Sequence, residues 1–186
     1  MKLVRLSKGQ SRWWPIIATI RADDPETWHA YDWSASWVYR ELVTEMARHL
    51  FKPGTRYLFQ AEPNLRIQRP GDVAVPWHAD RDFGHHLAEY NVWIPLCDLV
   101  DDSQRVWFRD DDGTEYCPTV EPGQALLFPG AVMVHGNQVN TTGRTRRSFD
   151  FRMIRVADWH DTGRRTVNYG VPMSVGAYWR ESLVPA

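Results

Sequence analysis

Along this chain of 186 residues, the apolar side chains first recur with the period of a helix. Between residues 35 and 51 they fall every three or four positions, which places on one helical face Tyr39, Leu42, Val43, Met46 and Leu50. Ser34 or Ser36 is available as the N-cap, and Pro53 with Gly54 ends the pattern. The pattern predicts a helix, which we expect to back one face of the fold together with residues 20 to 33.

From residue 55 onward the period changes to two. Short runs of alternating character are separated by Pro and Gly: RYLFQAE, LRIQR, YNVWIPL, RVWFRD, QALLF, VMVHG and RRSFDFRMI. Regular short strands of this kind predict a mainly β protein, as a sandwich, jelly roll or barrel backed by one or two N-terminal helices. We find no repeat or linker, so we predict a single domain over residues 1–186. Its parts are helical support at about 1–54, a β core at about 55–155, and a C-terminal packing or lid segment at about 156–186.

Composition narrows the class of partner. The formal net charge is -1, from 22 basic and 23 acidic residues, so no overall field favours nucleic acid or an anionic membrane. Cys97 and Cys117 are isolated thiols, which argues against a disulfide framework or a zinc ribbon. The apolar stretch WWPIIATI is too short to span a membrane. We expect a soluble, cytoplasmic monomer or homodimer that acts on a small molecule.

Candidate metal ligands concentrate in residues 76–96, PWHADRDFGHHLAEYNVWIPL. Side chains two apart on a strand share a face, so His78 and Asp80 are able to converge on one ion, whereas His85 and His86 would point apart. His135, just after the apolar run VMV, is the candidate third ligand. Two imidazoles and a carboxylate with open positions are typical of non-haem Fe(II) oxygenases, and zinc also accepts such ligands. The alternative is that these are ordinary loop residues that cap turns or face water.

The strand predicted at RRSFDFRMI begins 11 residues after His135 and has two distinct faces. One face carries the polar side chains Arg146, Ser148, Asp150 and Arg152. The other carries Arg147 and the apolar side chains Phe149, Phe151 and Met153. Either the polar face lies in water, or helices cover the apolar face and the polar face lines a cavity. In the second case Arg146 and Ser148 suit a carboxylate, because arginine donates two parallel charge-assisted hydrogen bonds.

The combined string LRIQRP…HADRDFGHH…NVWIPL…HGN…TGRTRRSFDFR, over about residues 57 to 154, resembles the Fe(II)/2-oxoglutarate-dependent dioxygenases. Within them it is similar to small oxygenases of the streptomycin-biosynthesis StrG type, which are related to phytanoyl-CoA hydroxylase-like enzymes. The resemblance implies a double-stranded β-helix, that is, a jelly-roll or cupin-like barrel. It also implies Fe(II), 2-oxoglutarate as cosubstrate, O2, and release of succinate and CO2 on oxidation of a small polar metabolite or natural-product intermediate.

Carried over residue by residue, the resemblance implies that Fe(II) is held by His78, Asp80 and His135. It implies that Arg146 and Ser148 hold the distal carboxylate of 2-oxoglutarate. Because position 80 is Asp and not Gly or Ala, the iron has its carboxylate, so hydroxylation is favoured over halogenation. Asn91 is a further candidate cosubstrate contact or, equally, a satisfied core amide.

Four further residues are candidates for contact with substrate. Arg66 and Gln68 share a face and frame the substrate end of the cavity if they point inward. His85 either supports the site or is an ordinary surface or core histidine, as is its neighbour His86. Arg152 either contacts substrate or forms a structural ion pair with a nearby carboxylate.

Two other functions remain open from the sequence. One is a cupin-like isomerase or zinc hydrolase that uses the same ligands without 2-oxoglutarate. The other is a non-catalytic β-sandwich that binds sugar or peptide through the ten tryptophans. The Arg146 and Ser148 pair favours the oxygenase over the first, and the ligand triad favours it over the second.

Overall fold

The computed structural model describes residues 1–6 and 32–186 and contains, within those ranges, ten strands and one α-helix. The helix is α1 (Trp37–Leu50). The strands are β1 (Lys2–Arg5), β2 (Arg56–Gln60), β3 (Asn64–Gln68), β4 (Tyr90–Pro95), β5 (Trp107–Arg109), β6 (Glu115–Tyr116), β7 (Gln124–Phe128), β8 (Val134–Gly136), β9 (Arg146–Arg155) and β10 (Trp179–Leu183). The protein is therefore mainly β, as the period-two pattern predicts.

The strands form two antiparallel sheets. The larger sheet has the order β1-β7-β4-β9-β2-β10, and β3 also pairs with β9. The smaller sheet has the order β6-β5-β8. The ten-residue strand β9 is central to the larger sheet, because β4 pairs along one edge while β3 and β2 divide the other.

Helix α1 covers the outer face of the larger sheet. Ser36 caps it, with its hydroxyl accepting from the backbone N–H of Tyr39. The apolar face of α1 packs in one buried cluster with Phe149, Phe151 and Met153 of β9. This confirms the second interpretation of the β9 pattern: helix covers the apolar face, and the polar face points to the other side of the sheet. The sequence predicts that residues 20 to 33 support the same face, and residues 20 to 31 of that segment lie outside the described residues.

The C-terminal segment packs on the core and contributes a strand. β10 pairs with β2, and fully buried Trp179 joins a cluster with Leu58 and Ile154. The packing or lid role expected for residues 156–186 as a segment stays a prediction. In the two described ranges no helix has the length and apolar character needed to cross a membrane.

Candidate metal centre

His78 and His135 are held opposite each other by an antiparallel backbone bridge. The N–H of each residue donates to the carbonyl of the other, with N···O distances of 2.9 and 2.8 Å. The two imidazole rings consequently lie 4.3 Å apart between centroids. His135 belongs to β8 in the smaller sheet, so the bridge also fixes the loop that carries His78 against that sheet.

Asp80 reaches the same place from a turn. The expectation that His78 and Asp80 share a strand face is wrong, because Asp80 begins a 3-10 turn at Asp80–Phe83. The Asp80 N–H donates to the carbonyl of Gly130 at 3.0 Å, and the Asp82 carboxylate accepts from the Ala79 N–H at 3.0 Å. These two bonds fix the backbone around Asp80, and the side chain still turns toward both histidines.

The ligand atoms of the three residues converge. One atom from each of His78, Asp80 and His135 lies within 4.8 Å of the others. Asp80 Oδ1 is 3.2 Å from His78 Nε2 and 4.0 Å from His135 Nε2. Two atoms bound at right angles to an ion about 2.1 Å away are roughly 3 Å apart, so the separation of Asp80 from His78 fits a first-row metal. The separation of Asp80 from His135 is about 1 Å longer and has to shorten when an ion binds at right angles.

The protonation of the rings also suits a metal. His78 Nδ1 is 2.8 Å from the Pro76 carbonyl, and His135 Nδ1 is 2.9 Å from the Met133 carbonyl. A carbonyl only accepts, so each Nδ1 carries the proton and donates, as is usual for histidines that bind metal through Nε2. Burial lowers the pKa of His135 to about 4, so at neutral pH its Nε2 presents a lone pair to the site.

Asp80 has one oxygen engaged and one turned to the histidines. Oδ2 accepts from Asn91 Nδ2 at 2.7 Å and from Arg152 Nε at 2.9 Å. Burial alone would raise the pKa of Asp80, but the positive charge of Arg152 and its hydrogen bond to the carboxylate outweigh burial, and the pKa lies well below its usual range. The residue is therefore a carboxylate, and Oδ1 is available to an ion.

One cavity is lined by both histidines of the triad and by Arg146. The cavity is lined from both sheets, including apolar Trp93, Val106 and Phe128. Arg146 is fully buried, and its Nε donates to Gln68 Oε1 at 3.2 Å while Nη1 donates to Ser148. Its Nη2 is buried with no hydrogen-bond partner, and no carboxylate in the described ranges forms an ion pair with this guanidinium. Burial, and then the charge of Arg66, lower the pKa of Arg146 to about 10, so it is a cation at neutral pH.

The remaining predicted residues divide between the cavity and its supports. Arg66 lines the cavity and pairs with Asp150 at 2.7 Å, its diagonal neighbour between β3 and β9. Gln68 holds Arg146 and donates to backbone carbonyls, so its side chain supports the cavity wall. Arg152 lines the cavity and forms an ion pair with a carboxylate, which is one of the two roles predicted for it; the sequence did not identify the partner as Asp80.

Neither histidine of the His85-His86 pair joins the triad. His85 Nδ1 lies 2.7 Å from a carboxylate oxygen of fully buried Glu89. His86 Nε2 lies 2.8 Å from the carbonyl of His160 in a more exposed position. His85 is absent from the lining of the cavity, so its predicted substrate contact has no support in the described residues.

One curated protein gives the decisive sequence comparison. The chain is 34% identical over 143 residues to the streptomycin biosynthesis protein StrG of Streptomyces griseus, covering 76% of this chain and 67% of that protein. The chain belongs to the StrG family. No protein-family model matches the chain. The StrG-type resemblance predicted from the metal and arginine motifs is therefore confirmed by overall sequence identity.

Solved structures show that this StrG-family chain shares a fold with non-haem enzymes. The non-haem monooxygenase ThoJ in complex with nickel superposes with a TM-score of 0.63 at 17% identity, covering 99% of this chain and 80% of ThoJ. HygX from Streptomyces hygroscopicus, solved with nickel and 2-oxoglutarate bound, superposes with a TM-score of 0.60 at 13% identity, covering 89% of this chain and 87% of HygX. At these identities the likeness is one of fold.

Proposed function

We propose that this StrG-family protein is an Fe(II)- and 2-oxoglutarate-dependent oxygenase that hydroxylates a small polar metabolite or natural-product intermediate. The balanced reaction consumes the substrate, 2-oxoglutarate and O2 and yields the hydroxylated product, succinate and CO2. The two sheets form the walls of a double-stranded β-helix around the cavity. The observation that carries the proposal is the buried, unpaired Nη2 of Arg146 in the cavity that is also lined by His78 and His135, two members of the triad with Asp80.

The triad holds the metal in this proposal. His78 and His135 bind through Nε2, because each Nδ1 already donates to a carbonyl. Asp80 binds through Oδ1, because Oδ2 is engaged. Two imidazoles and one carboxylate leave positions open for the cosubstrate and O2. When bound, Fe(II) supplies the O2 activation that is coupled to oxidative decarboxylation of 2-oxoglutarate.

Arg146 holds the distal carboxylate of 2-oxoglutarate. A buried cation without a counter-ion is costly, and an entering carboxylate relieves that cost while accepting from Nη2. Ser148 and Gln68 fix the guanidinium from two sides, so its free N–H groups have a defined direction. The ring of Trp93, centred 5.8 Å from the guanidinium carbon, helps to keep water from this end of the cavity.

Substrate binds in the part of the cavity that the metal and cosubstrate leave open. Arg66 and Asp150 line it as a hydrogen-bonded pair and present both a donor and an acceptor. Such a pair suits the hydroxyl and amino groups of a small polar metabolite. Asn91 supports the metal ligand through Nδ2, and we assign it that role in place of a cosubstrate contact.

The competing function is a cupin-like metal isomerase or hydrolase that needs no 2-oxoglutarate. Anaerobic addition of Fe(II) and 2-oxoglutarate distinguishes the two, because chelation of the metal by the cosubstrate produces a weak visible charge-transfer band. We expect the band in the wild-type protein, and its absence in folded protein would contradict the proposal. A metabolite screen for stimulated succinate release, followed by product mass, tests hydroxylation: the product must be one oxygen atom heavier.

A further inference from the structure

We propose that Arg152 is a positioning residue of the metal centre, which keeps Asp80 as a ligand through one oxygen only. Arg152 Nε donates to Asp80 Oδ2 at 2.9 Å, and Asn91 Nδ2 donates to the same oxygen at 2.7 Å. The two donors occupy the oxygen that faces away from the histidines. Asp80 is thereby prevented from rotating and from presenting both oxygens to the ion.

The arrangement is built by strand register. Asn91 of β4 and Arg152 of β9 are paired residues in adjacent strands, so their side chains emerge side by side on the cavity face. Asp80 approaches this pair from the 3-10 turn, on the backbone bond to Gly130. Both donors and the acceptor are almost fully buried, which makes the charge-assisted bond strong and slow to exchange with water.

Arg152 is itself held in place by the C-terminal segment. Its Nη1 donates to the hydroxyl of Tyr178 at 3.3 Å, and Tyr178 immediately precedes β10. The Tyr178 ring packs 4.8 Å from that of fully buried Trp179 and 6.0 Å from that of His85. The position of a metal ligand therefore depends on residues about 100 positions further along the chain.

An ordinary structural ion pair would stabilise the fold without affecting the ligand geometry. The contact between Arg152 and Asp80 differs because the acceptor, Asp80, is itself a proposed metal ligand. The hydrogen bond to Oδ2 leaves only Oδ1 available to the ion. Partners that orient a metal ligand in this way typically change metal affinity by about 10- to 100-fold when removed. The inference rests on the metal site of the proposed function.

The test is binding of Co(II), which replaces Fe(II) in air and reports its coordination by visible absorption. We expect Arg152→Leu to bind Co(II) about 10-fold or more weakly than wild type, because Asp80 is no longer held in the orientation that the ion needs. We also expect a changed absorption band, because the freed carboxylate alters the coordination of the ion. Arg152→Lys should restore part of the affinity. Tyr178→Phe, which removes only a hydroxyl, should shift both readouts less and in the same direction. Arg155→Leu is the matched control, because Arg155 lies on the same strand but is exposed and pairs with Asp158.

The outcomes separate the inference from the proposed function. If wild-type protein does not bind Co(II), the metal centre is wrong and the inference falls with it. If wild type binds and the Arg152 and Tyr178 variants match it in affinity and spectrum, with only the melting temperature lowered, Arg152 is a structural ion pair and the inference alone is wrong. If Arg152→Leu does not fold, Arg152→Lys and Tyr178→Phe decide by the same comparison.

Discussion

Replacing Arg146 with Leu tests the cosubstrate site most directly. The substitution removes a buried guanidinium whose Nη2 has no partner, while an apolar side chain of moderate size remains under Trp93. The guanidinium presents to a carboxylate its free Nη2 and the remaining N–H of Nη1, because Nε and the other Nη1 proton are used by Gln68 and Ser148. The loss is therefore that of one two-point, charge-assisted contact.

The expected magnitude follows from that geometry. A hydrogen bond to a charged group contributes about 1.5 to 3 kcal/mol, and two such bonds act here. Water enters the variant cavity and recovers part of this energy, so we expect a net loss of about 2 to 4 kcal/mol. That corresponds to an increase in the apparent KM for 2-oxoglutarate of roughly 30- to 1,000-fold.

The assay is succinate formation titrated against 2-oxoglutarate, with Arg147→Leu as the control. Arg147 is the next residue on β9, half-buried on the opposite face of the strand. We expect its KM for 2-oxoglutarate to stay within about twofold of wild type. A larger defect in the Arg147 variant than in the Arg146 variant would refute the assignment. Metal affinity should be unchanged in both, since neither side chain contacts a ligand of the triad.

Three further outcomes are expected. Asp80→Ala should lose metal and turnover while the protein stays folded, whereas Asp82→Ala, which removes only a turn cap, should retain most of its metal. The measurement is metal content after desalting, and equal loss from both variants would contradict the ligand assignment. Gly130→Ala should destabilise the protein by about 1 to 3 kcal/mol and weaken metal binding, because the new methyl group would lie 2.3 Å from Asn91 Nδ2, which donates to Asp80. Gly143→Ala, where a methyl group would meet no atom within 4 Å, should change neither the thermal unfolding nor the metal titration. Burial would raise the pKa of Asp150, but the charge of Arg66 outweighs burial and lowers the pKa below its usual value, so the protein should lose stability as the pH falls below about 4. Urea unfolding at pH 5 and pH 3.5 should show a smaller pH dependence for Asp150→Asn than for wild type.

The sequence predicts the metal ligands and the two faces of β9 because each depends on local spacing. A strict period of two over Arg146 to Met153 allows only one division into faces, and the helix at Trp37–Leu50 supplies an apolar surface for one of them. Three candidate ligands of two types, in a fixed order along the chain, also limit the metal site to a few combinations. These features are properties of short segments. The fold decides what surrounds each face of a strand, but it does not change which side chains share a face.

The supports of the site were not predictable in the same way. The period-two argument predicted that His78 and Asp80 converge, and they do, but for a different reason: Asp80 starts a turn fixed by Gly130, 50 positions away in the chain. The partners of Gln68 and Arg152 are likewise set by strand register and by a distant turn, which alternation within one segment does not specify. Contacts between remote segments depend on the pairing of the sheet.

The polar face of β9 carries three charged groups, Arg146, Asp150 and Arg152, and their pairing predicts which kind of ligand the cavity favours. Asp150 is neutralised by Arg66, and Arg152 by Asp80, so Arg146 alone keeps an unpaired charge. An anion that enters the cavity therefore gains most at Arg146, because binding elsewhere would require breaking a buried pair, at a cost of about 3 to 5 kcal/mol. In the proposed function, Arg146 would therefore orient a ligand with two carboxylates by holding one end, which would leave the other end to reach the side of the cavity lined by His78 and His135.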